Sequence, residues 1–326
     1  MTQSALSQLK SHTTIVADTS DLSAIAKFRP QDATTNPSLI TAAAEQPESR
    51  ELIEVAYQQA KQEGYTSDTL VERTIDILTV KFGVEILKLI EGRVSTEVDA
   101  SLSYDTEATI KKAKELLALY KGYGVESDRV LIKIASTWEG IQAAKVLEAE
   151  GIHCNLTLLF GLHQAKACAD AKVTLVSPFV GRILDWYKKA EQVQSYPIEK
   201  DPGVNSVKAI YDYYKANGIK TEIMGASFRS VEQVLALAGC DLLTVAPALL
   251  EKLEQAQHNV ESQLVQPTPS TKQPHAIQEI VFKTQLEDDL MAFQLLQSGI
   301  DGFIKAREQL NTLLRQSFGL SGDLKL

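Results

Sequence analysis

Apolar and β-branched residues gather in short runs along this chain, and between the runs apolar positions recur every three or four residues. The runs predict eight strands, at Thr13–Asp18, Asp32–Asn36, Arg93–Asp99, Val130–Ser136, Cys154–Phe160, Val173–Phe179, Thr221–Ser227 and Leu242–Ala246. A segment of helical periodicity follows each, as in Tyr104–Tyr120 or Thr137–Glu150. Strand–helix alternation implies parallel pairing through crossover helices, and eight such units are the number that closes a (β/α)8 TIM barrel. An open doubly wound sheet is the competing α/β architecture. It more often carries a Gly-rich loop after its first strand, and Asp18-Thr19-Ser20-Asp21 does not resemble one. Barrels of this length commonly form one domain, so residues 1–326 are expected to be a single unit. Ser67–Ile90 predicts an extra helix before the third strand. Beyond about Glu261 the chain turns polar and Pro-containing (Gln266-Pro267-Thr268-Pro269-Ser270), as a surface loop would be. Helical pattern resumes from about His275, predicting C-terminal helices packed outside the barrel.

The same periodicity exposes an anomaly. Lys133 lies inside Val130-Leu131-Ile132-Lys133-Ile134-Ala135, a run that reads as a buried strand, and lysine is seldom fully buried unless something holds it. Burial disfavours an ammonium and lowers its pKa, and a neutral amine in an enclosed site can attack a carbonyl to form a Schiff base. The structural alternative is an edge-strand lysine whose tip snorkels to water.

Lys133 does not stand by itself. Period-2 alternation ends strand one on Asp18 and puts Thr34 with Asn36 on one face of strand two. Ser95, Glu97 and Asp99 share a face of strand three, and Asn155 and Thr157 a face of strand five. Ser177 ends strand six and Ser227 strand seven. Their neighbours Val16, Val98, Leu156, Leu158, Val176 and Ala226 would then pack outward against helices. Each polar residue has a bland reading: Asp18 and Thr137 as helix caps, Ser177 as a turn residue before Pro178. Seven strands delivering polar groups in turn cannot form a dry core, and buried polar groups demand partners that a shared ligand supplies. The expected place is the C-terminal mouth, where barrel enzymes build their sites.

Composition narrows the chemistry. A net charge of −9 argues against nucleic acid or an anionic membrane as partner, though not against a small anion met by local cations. The three cysteines are scattered, as reduced cytoplasmic thiols would be, and no His/Cys spacing suits a metal. No apolar stretch approaches the length of a membrane span, and the N-terminal residues carry no export signal. An amine, the carboxylates Asp18 and Glu97, amides and hydroxyls, with no cofactor, suit Schiff-base chemistry on a sugar carbonyl. Arg182 and Arg229 follow strands six and seven, where barrel phosphate sites commonly lie; each could equally be a surface ion-pair residue.

The segments Asp32-Ala33-Thr34-Thr35-Asn36-Pro37-Ser38-Leu39-Ile40 and Leu131-Ile132-Lys133-Ile134-Ala135-Ser136-Thr137-Trp138-Glu139-Gly140 resemble the two signature segments of transaldolase. The likeness continues in order through VADT, RVSTEVDASLSYD, CNLTLLF, SPFVGRILDWYK, MGASFR and LTVAPALL, and is greatest to the long, dimeric subfamily. The resemblance implies that Lys133 forms the Schiff base with sedoheptulose 7-phosphate or fructose 6-phosphate and that Asp18 is the acid/base for C–C cleavage. It implies that Glu97, with Thr157 and a water, relays protons during dehydration. Asn36, Asn155 and Ser177 would hold hydroxyls beside Thr34, and Arg182, Ser227 and Arg229 would bind phosphate. Phe179 would limit water at the intermediate. Phe160-Gly161-Leu162 departs from the family's pattern and puts the mobility of that loop in question. Two other functions compete: an aldolase that releases free dihydroxyacetone, and a non-catalytic sugar-phosphate-binding barrel.

Overall fold

In the computed structural model, which describes residues 3–257, 259–270 and 276–320, eight parallel strands close into a barrel. They are β1 (Thr14–Asp18), β2 (Asp32–Thr34), β3 (Val94–Glu97), β4 (Val130–Ala135), β5 (Cys154–Leu159), β6 (Leu175–Pro178), β7 (Glu222–Gly225) and β8 (Leu242–Val245). Each pairs with the next, and β8 returns to β1. The eight expected strands are all present, shortened mostly at their C-terminal ends, where the chain leaves the ladder to form the mouth.

The turns into the helices are made by their own first residues. Asp21 accepts from the amides of Ser23 and Ala24 to start Leu22–Phe28, and Thr137 accepts from Gly140 N to start Trp138–Ala149. Thr137 is thus the cap expected of it, whereas Asp21 rather than Asp18 caps the first of these helices. Asn36 caps Pro37–Ala44, with proline at a position where its missing N–H costs nothing. The extra helix before β3 runs Ser67–Leu87.

Inside the barrel Val16, Leu131, Leu175, Met224 and Leu242 form a small apolar cluster separate from the main core between sheet and helices. Val16 therefore points inward, against expectation. It shares a face with Asp18, two residues on, so period 2 requires both to face the axis. Leu156, Val176 and Val98 do pack outward. Leu158 does not: the β5–β6 register shifts between Leu156 and Leu159, and Leu158 takes a left-handed φ of 52°. That bulge turns its side chain towards the C-terminal helix.

The polar stretch 261–270 is irregular, as expected, and helix resumes at Glu279–Asp288, followed by Leu290–Ser317; His275 lies outside the described residues. These helices are not merely peripheral. Phe282 of the first packs against Trp138 and His163. The second crosses the mouth, with Arg307 bound to Asp99 (2.9 Å) and Glu72 (2.6 Å), and Thr41 donating to the carbonyl of Ala306. Among the described residues no helix is long and apolar enough to span a membrane.

Candidate active site

Strand register assembles the centre of the mouth. Glu97, Lys133 and Asn155 are neighbours across β3, β4 and β5, while Asp18, Thr34 and Ser95 are neighbours across β1, β2 and β3. Asp18, Thr34, Asn36, Lys133, Thr157, Ser177, Phe179, Arg182 and Ser227 line one cavity. Lys133 is 4% exposed, so it is not an edge lysine. Its Nζ donates to the carbonyl of Thr35 (3.1 Å) and lies 3.2 Å from Glu97 Oε2. Among the described residues that buried carboxylate oxygen has no aligned hydrogen-bond donor, and the buried hydroxyl of Thr157 has no hydrogen-bond partner. Glu97 also lines a second crevice with Thr35, Asp99 and Arg307, and Asn36 is common to that crevice and the cavity.

Burial raises the proton affinity of Glu97 above that of an ordinary carboxylate, against the nearby charge of Lys133. Asp18 keeps some exposure to the cavity, yet its carboxylate is enclosed deeply enough that desolvation raises its pKa too. Lys133, the hydroxyl of Thr34 and Arg182 offset part of that rise. Thr34 donates to Asp18 Oδ1 (3.2 Å) and meets Thr244 at 2.9 Å. Two carboxyls that hold protons more firmly than ordinary carboxylates therefore flank one amine, an arrangement suited to proton transfer.

The remaining polar groups are preorganised. Asn155 donates to Ser95 Oγ (3.0 Å) and accepts from Ser177 Oγ (2.6 Å), so Ser177 is part of a side-chain chain rather than a turn residue. Asn36 spends its carbonyl oxygen on Leu39 N and keeps its amide nitrogen for the cavity it lines. Asp99 leaves the polar face assigned to it from the sequence: it caps the short turn Ala100–Leu102 and pairs with Arg307.

The two arginines differ. Arg182 reaches the cavity, with its guanidinium carbon 4.9 Å from the Phe179 ring centroid and 5.8 Å from that of Phe303. Arg229 stands farther out, donating to Asp185 (2.9 Å) and to the carbonyl and hydroxyl of Ser227 (3.3 Å each). Its charge is close enough to Arg182 to lower the latter's pKa, after burial itself. Ser227 takes a left-handed φ of 61°, a strained conformation that a functional turn can hold.

Four lining residues were not singled out from the sequence: Met224, Ala226, Thr244 and Phe303. Thr244 was legible by the rule used elsewhere, since Leu242 and Thr244 share the inner face of β8. Ala226, expected to face outward, lies just past the last residue of β7, where alternation lapses. Phe303 comes from the C-terminal helix and has no local signal. The segment after β5 is firmly tied: Gln164 accepts from the amides of Phe160 and Gly161 and donates to the carbonyls of Ser136 and Leu158. Gly161 is required because a β-carbon there would fall 2.3 Å from the His163 ring.

Comparison with known proteins agrees with this geometry. The family model described as transaldolase/fructose-6-phosphate aldolase matches residues 15–314. The chain is 55% identical over 321 residues to the transaldolase of a Nostoc species, covering 97% of both chains. It is 53% identical over 322 residues to that of Methylococcus capsulatus, covering 96% of this chain and 97% of the relative. With that of Thermosynechococcus vestitus it shares 55% over 316 residues, 95% of this chain and 81% of the relative. A match of this length and identity, joined to a buried lysine facing two carboxylates inside a barrel, identifies the chain as a member of the transaldolase/fructose-6-phosphate aldolase family.

Proposed function

We propose that this protein is a transaldolase, passing a dihydroxyacetone unit from sedoheptulose 7-phosphate or fructose 6-phosphate to glyceraldehyde 3-phosphate or erythrose 4-phosphate through a Schiff base on Lys133. The observation that carries the reading is the contact of Lys133 Nζ with Glu97, 3.2 Å apart, both side chains buried beside Asp18. In this scheme Glu97, whose proton affinity burial has raised, takes the ammonium proton and leaves a free amine. The amine attacks the donor's ketone carbon. Glu97 then supplies the proton with which the carbinolamine loses water, and Thr157, whose hydroxyl has no protein partner in the site, holds that water. The iminium draws electrons as Asp18 takes the proton of the hydroxyl on the far side of the scissile bond. The C–C bond breaks, an aldose phosphate leaves, and the three-carbon enamine stays on Lys133. It adds to the acceptor's aldehyde carbon while Asp18 returns its proton, and hydrolysis frees the product.

Asn36, Asn155 and Ser177 hold the donor's hydroxyls, Arg182, Ser227 and Arg229 its phosphate, and Phe179 keeps water from the enamine. The role belongs to the non-oxidative pentose phosphate pathway in the cytoplasm, carried by a homodimer. The family's description covers fructose-6-phosphate aldolases as well, so release of free dihydroxyacetone is the reading to be separated from transfer. Incubation with fructose 6-phosphate and borohydride should place a reduced adduct on Lys133. Turnover should then require an aldose-phosphate acceptor. An adduct elsewhere overturns the mechanism, and turnover without acceptor overturns transfer in favour of cleavage.

A further inference from the structure

Among the described residues Arg182 has no hydrogen-bonding partner. Among the described residues no carboxylate lies within 4 Å of it, and its guanidinium makes no hydrogen bond to protein; its close contacts are the faces of Phe179 and Phe303. A guanidinium is weakly hydrated and stacks well on aromatic faces, and that attraction leaves its N–H groups unspent. Arg229 shows the other solution, with Nε on Asp185 and Nη1 on Ser227.

The second of these rings arrives by a route that packing fixes tightly. Gly299 lies one helical turn before Phe303, on the same face of Leu290–Ser317. A β-carbon on Gly299 would sit 2.7 Å from Leu158 Cδ2 and 3.4 Å from Arg182 Nη1. The helix thus comes down on the bulge of β5 as closely as a glycine permits, and that approach carries the Phe303 ring to the cavity wall beside Arg182.

We propose that Phe303 is a positioning residue for phosphate recognition: with Phe179 it holds the Arg182 guanidinium between aromatic faces, so that its N–H groups point free into the cavity for an anionic phosphate. This rests on the reading of Arg182 as a phosphate ligand. It gives the C-terminal helix a part in substrate choice. The plain alternative is that Phe303 only fills the apolar cluster it shares with Phe160, Ile183, Leu296 and Ile300.

The test replaces the ring while keeping apolar volume. Phe303→Leu should raise KM for fructose 6-phosphate, and the inhibition constant of inorganic phosphate, by about 3- to 30-fold, the range of a desolvated cation–π contact. kcat at saturation and borohydride trapping of Lys133 should stay within about twofold. Phe303→Tyr keeps the ring face and should match wild type. Phe303→Met, which fills irregular space well, serves if the leucine variant does not fold. Unchanged phosphate inhibition in a folded Leu or Met variant, or an equal loss on unphosphorylated fructose, overturns the proposal. Arg182→Met run in parallel separates the two failures. If it leaves phosphate inhibition intact, the phosphate reading of Arg182 falls; if it abolishes inhibition and the Phe303 variants do not weaken it, only the role of Phe303 falls.

Discussion

The two ends of the barrel treat arginine in opposite ways. At the N-terminal end Arg93 lies just before β3 and binds Asp32, the first residue of β2, and Glu222, the first residue of β7 on the far side of the barrel. Its partners raise its pKa, and it closes the floor beneath the inner apolar cluster. At the C-terminal end Arg182 has ring faces where Arg93 has carboxylates, and burial with a neighbouring cation lowers its pKa. Glu97 and Asp18 are likewise left with more affinity for protons than solvent would give them. One end satisfies its charges and closes; the other holds them short of satisfaction and stays open. Unsatisfied buried groups cost stability, so a fold keeps them only where a ligand completes them.

The largest effect should follow from removing the one amine in the mouth. Lys133→Ala should abolish turnover, because the cavity contains no other amine. A folded variant that keeps about a tenth of the rate would end the Schiff-base reading, since a group acting in the bond-making step must appear in kcat.

Asp18→Asn should slow cleavage by ~10²–10⁴-fold while still allowing adduct to form on Lys133. The same variant tests whether the mouth sacrifices stability. The pKa of Asp18 is raised in the folded state, so the native protein binds this proton more tightly than the unfolded chain. The resulting stabilisation is present below the unfolded carboxylate pKa, about 4, and is lost as pH rises through the higher folded value. Asp18→Asn should therefore melt above wild type at pH 7, with the advantage shrinking as the pH approaches 4. A variant that melts lower at pH 7 would mean that Asp18 braces the fold, and the contrast between the two ends would weaken.

The mouth was far more legible in the sequence than the floor. A polar residue on an inward strand position stands out against the apolar interior expected there, so Lys133, Glu97, Asn155 and Thr157 declared themselves, and their register then placed them together. The floor gives no such sign. Arg93, Asp32 and Glu222 all stand at strand starts, where charged residues are ordinary, and only barrel closure brings Glu222 across to Arg93. The same limit hid Phe303, whose meaning depends on the path of a helix more than 100 residues beyond Arg182. Val16 could have been read correctly, since its separation of two from Asp18 required both to face the axis.

Within the mouth, Arg229→Ala should weaken a phosphorylated donor by about tenfold to a hundredfold in kcat/KM, the worth of a charge-assisted contact. Unphosphorylated fructose should lose much less. The chain carries a net charge of −9, so the overall field does not draw a phosphate and local cations must. Equal losses on both sugars would show that Arg229 braces the mouth through Asp185, making it an ion-pair residue like Arg93.

The smallest effect on rate belongs to the floor. Arg93→Met keeps a long apolar stem but leaves Asp32, 5% exposed, with the backbone amide of residue 93 and, among the described residues, no cation. Leaving a buried carboxylate without its partner is costly. Arg93 and Glu222 keep some solvent contact, however, so a loss of about 1–3 kcal/mol in unfolding free energy is expected, below that of a fully buried pair. Turnover under native conditions should not change, because Glu97 lies four positions along the chain from Arg93, roughly 13 Å along the strand. Urea midpoints and kcat/KM measured on one preparation decide the matter. A fallen midpoint with unchanged kcat/KM keeps the floor structural. A fall in kcat at an unchanged midpoint would mean that charge at the floor reaches Lys133 through β3 and β4, and that the two ends of the barrel are one electrostatic system.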